Sequence, residues 1–304
     1  MAEARVNKLR YVAAAVPDFD AECDFISATW GLKEVESDGD IAYFAAESSS
    51  QPFIYRLRKA NEKRLDLLSF GAENRQTVDQ LAKQLASAGV KLISEPQKLD
   101  APGGGYGFRF FDPEGRTVEI SSDFARRETR ELNRGESIPA RLSHAVMHTG
   151  DVKKTVAFYE QHLGFRVSDW LGDFMCFMRC NDWHHSIAFI PGPPALNHVA
   201  FEMKDINEMM RGVGRLLKSK ITLGWGPGRH TAGDNAFAYF VVPSGNVLEY
   251  TAEVERIDEA TWKPHTYTPS PDIMDQWGTG SLGGGPEKMG RAVVDPGLFK
   301  APPR

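Results

Sequence analysis

Pro113-Glu-Gly-Arg-Thr-Val-Glu119 and Pro243-Ser-Gly-Asn-Val-Leu-Glu249 repeat one pattern, a Pro-x-Gly turn that feeds a strand carrying a glutamate. A second pair lies upstream of each. Phe25-Ile-Ser-Ala-Thr-Trp-Gly31-Leu-Lys-Glu-Val35 parallels Phe158-Tyr-Glu-Gln-His-Leu-Gly164-Phe-Arg-Val167, and both read as the end of an amphipathic helix, a glycine stop and a strand. The two halves of the chain therefore share one fold. Inside each half a further helical stretch recurs, Asn74 to Ala88 after Leu65-Asp-Leu-Leu-Ser-Phe70 and Asp205 to Lys218 after the strand at Leu196. Each half is thus itself double, which gives four units of one helix with several strands. Such a unit cannot bury its sheet face alone, so two units must pair and close their sheets into a cupped, barrel-like hollow, the natural place for a pocket.

The length of 304 residues fits two such domains of about 130 residues and a tail. The first paired unit is expected over 1–123. A charged, poorly periodic linker follows over 124–140, then the second paired unit over 141–255. Residues 256–304 read as a Pro- and Gly-rich tail around Gly283-Gly-Gly-Pro286, with Trp277 and Phe299 available to dock it on the body or on a neighbouring subunit. The formal charge of −5, without a long Lys/Arg run, argues against a nucleic-acid partner. The opening Met1-Ala-Glu-Ala-Arg-Val lacks the apolar core of a signal peptide, and no apolar run approaches the roughly 20 residues that span a bilayer. A soluble, cytoplasmic protein without a membrane partner is expected. Cys23, Cys176 and Cys180 are odd in number and lack zinc-like spacing, which fits packing in a reducing compartment.

His144, His198 and Glu249 sit at matching places in strand-like runs, Leu142-Ser-His-Ala-Val-Met147, Leu196-Asn-His-Val-Ala-Phe201 and Asn246-Val-Leu-Glu-Tyr250. Alternation puts His144 with Leu142 and Val146, His198 with Leu196 and Ala200, and Glu249 with Val247 and Thr251. Polar groups on such apolar faces are costly unless paired or metal-bound, and one metal would satisfy all three. Two imidazoles and one carboxylate suit a non-haem ferrous ion with open coordination positions. The repeat supplies a control: Tyr11 stands where the second half has His144, Leu67 where it has His198, and only Glu119 matches Glu249. The first half is expected to hold no metal. His148 and His162 read as structural, His162 as a solvent-facing helix residue; Trp183, Trp225, Phe174, Phe177 and Met178 are candidates either for the core or for the walls of the hollow.

These residues resemble those of the type I extradiol ring-cleavage dioxygenases, built from paired modules of the vicinal oxygen chelate superfamily. The resemblance covers roughly residues 5 to 255 and is strongest over Gly226-Pro-Gly-Arg-His230-Thr-Ala-Gly-Asp-Asn-Ala-Phe-Ala-Tyr239-Phe-Val-Val-Pro243-Ser-Gly245-Asn-Val-Leu-Glu249. That stretch is similar to the family signature linking an active-site histidine, a tyrosine and the metal-binding glutamate. Asn181-Asp-Trp-His-His185-Ser-Ile-Ala-Phe189 is similar to the segment bearing a catalytic histidine. Ala238 departs from a usually larger aliphatic residue and Val242 from a common Asp, which bears on pocket shape and turn geometry.

The resemblance implies an α+β, two-domain vicinal oxygen chelate fold of four βαβββ modules. It implies iron(II), with manganese(II) as the alternative, a catechol and O2 as partners of the site, and a homo-oligomer. His185 shares strand parity with the apolar Ile187 and Phe189, which favours it over His184 as the pocket-facing acid–base. In the family such a histidine yields a proton as the oxygen–oxygen bond breaks. His230 and Tyr239 would hydrogen-bond the substrate oxygens and fix which hydroxyl keeps its hydrogen. Two alternatives stand beside this reading: a glyoxalase or epimerase of the same superfamily, and a drug-sequestering protein of the bleomycin-resistance kind.

Overall fold

The computed structural model describes residues 4–285, so Phe299 and Pro286 lie outside it. The chain opens with β1 (Val6–Val16), α1 (Phe19–Asp24) running into a π-helical turn at Phe25–Trp30, β2 (Lys33–Ser37), β3 (Ile41–Ala45) and β4 (Tyr55–Lys59). The pattern repeats as β5 (Arg64–Ala72), α2 (Arg75–Ser87), β6 (Leu92–Lys98), β7 (Tyr106–Phe111) and β8 (Thr117–Ser122). A third round comprises β9 (Arg141–Thr149), α3 (Val152–Leu163), β10 (Arg166–Leu171), β11 (Met175–Arg179) and β12 (Ile187–Pro191). The fourth is β13 (Ala195–Glu202), α4 (Ile206–Lys218), β14 (Thr222–Arg229), β15 (Ala236–Val241) and β16 (Val247–Ala252). These are four βαβββ modules in a mixed α and β fold, the two-domain vicinal oxygen chelate arrangement.

Local chemistry explains the helix limits. Asn74 and Asp205 accept the backbone N–H of Thr77 and Glu208 and so cap α2 and α4. Gly31 and Gly164 end their helices at φ of 99° and 70°, a left-handed turn that glycine enters without strain. Val78, Leu81, Ala82 and Leu85 give α2 a single buried stripe at helical spacing.

The modules join in pairs through β1–β5 and β13–β9, giving sheets ordered β2-β3-β4-β1-β5-β8-β7-β6 and β14-β15-β16-β13-β9-β12-β11-β10. Each sheet curves into a cup, but its end strands do not pair, so the barrel-like closure expected from the sequence is corrected to an open cup. The ends of the first sheet are built to stay unpaired: β2 reads Lys-Glu-Val-Glu-Ser, and β6 carries Pro96. The second sheet gains a short strand, β17 (His265–Tyr267), parallel to β10. Beyond it α5 (Pro271–Met274) and a 3₁₀ turn at Gly280–Gly283 lie on the second domain. Asp275 ties them down by accepting the backbone N–H of Arg229 at 3.0 Å and of Gly280 at 2.6 Å. Trp277 stays 41% exposed, 5.7 Å from the Arg229 guanidinium. No helix among the described residues is long and apolar enough to cross a membrane.

The domains brace each other. Trp30, at the end of the π-helical turn, lies 4.0 Å from the Tyr250 ring, and the Tyr250 hydroxyl donates to the Trp30 carbonyl. Tyr250 is the neighbour of Glu249 on β16, so the first domain supports the back of a strand that carries a metal ligand candidate. In return Tyr159 of α3 donates to Asp112 at 3.1 Å and Phe165 packs on Phe70.

Candidate metal centre and active site

His144 on β9, His198 on β13 and Glu249 on β16 meet in the cup of the second sheet because their strands are neighbours: Ala200 pairs with both His144 and Glu249, while His198 pairs with Val146. Both histidine Nε2 atoms lie 3.2 Å from Glu249 Oε2, and the possible ligand atoms all fall within 4.8 Å of one another. All three residues are buried. Among the described residues His198 Nε2 and both Glu249 oxygens have no hydrogen-bond partner, an arrangement that buried polar atoms avoid unless an ion belongs there. Burial alone would raise the Glu249 carboxyl, but the His144 and His198 imidazoles outweigh it and hold the group well below the usual carboxylate range. Burial keeps His144 neutral, the form that ligates. The rear nitrogens are occupied, His144 Nδ1 by the Ser143 hydroxyl at 3.1 Å and His198 Nδ1 by Asn197 Oδ1 at 2.6 Å, which points each Nε2 forward. The donor set fits a divalent iron or manganese ion.

The centre is open on one side, and the pairing shows why. His144 and His198 are related by the local two-fold pairing of β9 with β13, and Glu249 lies on the parallel neighbour of β13 opposite Ala200. The equivalent place on the parallel neighbour of β9, opposite Val146, is Ala188. A methyl group therefore stands where symmetry would put a second carboxylate.

The first sheet repeats this pairing with Ser69 opposite both Tyr11 and Glu119, and Leu67 opposite Ala13. There Glu119 accepts from Tyr11 at 2.9 Å and Ser69 at 3.0 Å and pairs with Arg109 at 2.9 Å. Arg109 takes the place that Tyr239 holds opposite Glu249. Phe53 fills that cup against Tyr11 and Tyr43. A guanidinium and two hydroxyls satisfy the carboxylate without a metal.

A cavity of about 320 Å³ opens in front of the triad. His185, His230 and Tyr239 line it. The His185 ring is 4.1 Å from that of His144; burial, reinforced by His144 and the other surrounding imidazoles, holds it well below the usual imidazole range and hence neutral. His184 is wholly buried behind it, with Nδ1 2.9 Å from His185 Nδ1. The parity argument for His185 does not describe its position: both histidines precede β12 in a bend, and Ile187 and Phe189 face the helix-side core while Ala188 faces the cavity cluster. His230 Nδ1 donates to the Met274 carbonyl at 2.7 Å, leaving Nε2 to accept from the Tyr239 hydroxyl at 2.9 Å. Burial lowers His230 to about 4, so it too is neutral.

Leu171, Phe177, Ile190, Trp225, Ile273 and Met274 form the apolar walls, with Phe174 at 37% exposure toward solvent. Met178 belongs instead to the helix-side core, and Trp183 stacks between Arg141 and Arg256 in the cleft between the domains. Ala238 also faces the helix-side core, so its departure from the usual residue does not shape the cavity. His148 lines the cavity, its Nε2 receiving the Asn197 amide at 2.9 Å. His162 is half-buried, its ring 4.9 Å from that of Phe158. The three cysteines are free and buried, and burial pushes Cys180 up to about 11, which suits packing. Sequence reasoning missed Asn197, Ser143, Asp169 and the Met274 carbonyl. Only Asn197, a polar neighbour of His198 in an apolar strand, left a signal.

The sequence matches the family described as the Glyoxalase/Bleomycin resistance protein/Dioxygenase superfamily over residues 8–120 and 141–250. It is 29% identical to Metapyrocatechase 2 of Cupriavidus necator over 90% of this chain and 89% of that protein. It is 23% identical to an iron-dependent extradiol dioxygenase of Rhodococcus jostii (strain RHA1), over 84% of this chain and 92% of that protein. Among solved structures, the Mn(II)-bound glyoxalase from Novosphingobium aromaticivorans superposes with a TM-score of 0.94 at 48% identity, covering 98% of both chains.

Proposed function

The chain belongs to the Glyoxalase/Bleomycin resistance protein/Dioxygenase superfamily, and from that membership and the geometry of its metal centre we propose that it is an extradiol dioxygenase. It is an oxidoreductase that opens a catechol-type ring beside its two hydroxyls and takes up both atoms of O2, as in bacterial degradation of aromatic compounds. The observation that carries this reading is the three-ligand centre, with Ala188 on its open side and His185, His230 and Tyr239 around the cavity. When bound by His144, His198 and Glu249, iron(II), or manganese(II) in its place, supplies open positions for both catechol oxygens and O2 and a route for electron density between them.

The protein's own groups do the rest. His185, whose Nδ1 faces His184, has no partner for Nε2 among the described residues, and this nitrogen accepts a proton from the substrate hydroxyl, to be returned to oxygen later in turnover. The Tyr239 hydroxyl donates to His230, so its oxygen is free to accept from the substrate hydroxyl that keeps its hydrogen. Among the described residues the cavity walls are mostly apolar and carry no Lys, Arg, Asp or Glu, which favours a catechol with an apolar alkyl or aryl substituent over one bearing a carboxylate. Residues 1–123 serve as the metal-free scaffold, 124–140 as linker and 141–255 as the catalytic domain, with 256–304 as a tail whose Ile273 and Met274 line the cavity. The net charge and cysteine use fit the cytoplasm, and the family habit fits a symmetric homo-oligomer, which light scattering would test.

The 48% identical structure named a glyoxalase favours a second reading, metal-assisted isomerisation. Against it stands Ala188, which offers neither a fourth ligand nor a carboxylate base. Oxygen uptake by the iron-loaded enzyme with alkyl, aryl and carboxymethyl catechols, beside isomerisation of a glutathione hemithioacetal, separates the two. Uptake with the apolar catechols is expected. Isomerase activity without uptake on any catechol would overturn the dioxygenase reading.

A further inference from the structure

Behind His185 runs a buried chain of hydrogen bonds that ends on a carboxylate. His185 Nδ1 lies 2.9 Å from His184 Nδ1, and His184 Nε2 lies 2.9 Å from Asp169 Oδ2 on β10. Both Asp169 and His184 are wholly buried. The other Asp169 oxygen accepts the backbone N–H of His265 on β17 at 2.7 Å. The His184 main chain is pinned as well: its N–H donates to the Glu255 carbonyl at 2.9 Å, and the Ser168 hydroxyl donates to its carbonyl. Phe177 and Trp262 flank the His184 ring, and Gly233 makes room for it, since a Cβ at Gly233 would stand 2.9 Å from His184 Nδ1.

The order of donors along the chain is fixed from the carboxylate end. A carboxylate only accepts, so His184 carries its hydrogen on Nε2 and turns the lone pair of Nδ1 toward His185. His185 must then hold its hydrogen on Nδ1. We propose that Asp169 and His184 are positioning residues that set the tautomer of His185, so that its Nε2 always meets the substrate hydroxyl as an acceptor. A proton gained at Nε2 leaves the Nδ1–H bond to His184 in place, so no ring turns during turnover. The same device, a buried carboxylate selecting an imidazole tautomer, is worth orders of magnitude in rate in hydrolytic triads.

The inference rests on the reading of His185 as the group that exchanges protons with substrate, but its test begins without substrate. Long-range proton–nitrogen NMR of histidine-labelled, zinc-loaded enzyme should show the His185 hydrogen on Nδ1. In Asp169→Asn the amide keeps an oxygen for His265 and turns its NH2 to His184, which reverses the chain and moves the His185 hydrogen to Nε2. The iron-loaded variant should lose about 10²-fold in kcat, with KM, metal content and Tm unchanged. His184→Phe, which keeps the packing, should lose a similar factor, and the double variant no more than either single one. An unmoved tautomer with wild-type kcat would overturn the proposal, as would a loss confined to Tm or metal content. Should Asp169→Asn fail to fold, His184→Phe decides alone: lower kcat at full metal content supports the proposal, and wild-type kcat ends it. Because the tautomer is read without catechol or oxygen, a failure of the dioxygenase reading leaves this test standing.

Discussion

Asn197 holds the His198 imidazole from behind through a 2.6 Å bond to Nδ1, and its amide N–H donates to His148 Nε2. Asn197→Ala is expected to weaken metal binding about 10- to 100-fold, measured by competition with a chelator. Removing a ligand is more drastic. His198→Ala and Glu249→Ala should lose the metal outright, whereas His185→Ala should keep metal and substrate affinity and slow turnover by about 10² or more. Metal analysis beside steady-state kinetics checks both halves; an empty site in His185→Ala would refute its role. The triad was legible because three polar residues interrupted apolar strands and two were missing from the repeat. Asp169 was not, because its partner His184 lies on a bend whose approach depends on tertiary packing. Asn197 reaches the cavity beside His198 only through a strand irregularity between Leu196 and His198, which simple alternation does not foresee.

Helices and turns were the readable elements, since Gly31, Gly164, Asn74 and Asp205 act through local backbone chemistry. The π-helical turn before Gly31 and the irregularities that rotate Leu142 and Leu196 toward the helix-side core had no such marks. The register between strands carries the more telling information. Ala188 on β12 is the counterpart of Glu249 on β16, and its small side chain keeps one side of the centre clear. Ala188→Glu should retain or tighten the metal while cutting catechol-dependent oxygen uptake by about 10²-fold or more, because a fourth protein ligand competes with the substrate oxygens. Uptake at the wild-type rate would show that the open side lies elsewhere.

The two domains act as one body. Glu22, within α1, accepts the Ser244 backbone N–H at 2.9 Å and hydroxyl at 3.0 Å across the interface, in the turn that leads to Glu249. Burial pushes its carboxyl up to about 6 despite these bonds. The folded chain therefore keeps a proton that the unfolded chain, near 4.3, has released. Its contribution is full below about pH 4.3 and falls away as pH rises through about 6, by roughly 2 kcal/mol in all. Glu22→Gln should flatten this part of the pH dependence, so that the difference in Tm between pH 5 and pH 7 is smaller than in the wild type by calorimetry. The Met274 carbonyl that aligns His230 comes from a segment beyond the last metal ligand. All three ligands precede Met274 in the chain and lie on β9, β13 and β16, so the strands that assemble the metal centre do not include the segment that orients His230. A chain ended after Tyr267 should bind metal as the full chain does yet turn over at least about 10-fold more slowly. Metal capture and the alignment of the proton-handling groups are therefore built by different parts of the chain, the first by the strands of the second sheet and the second by the segment that follows them.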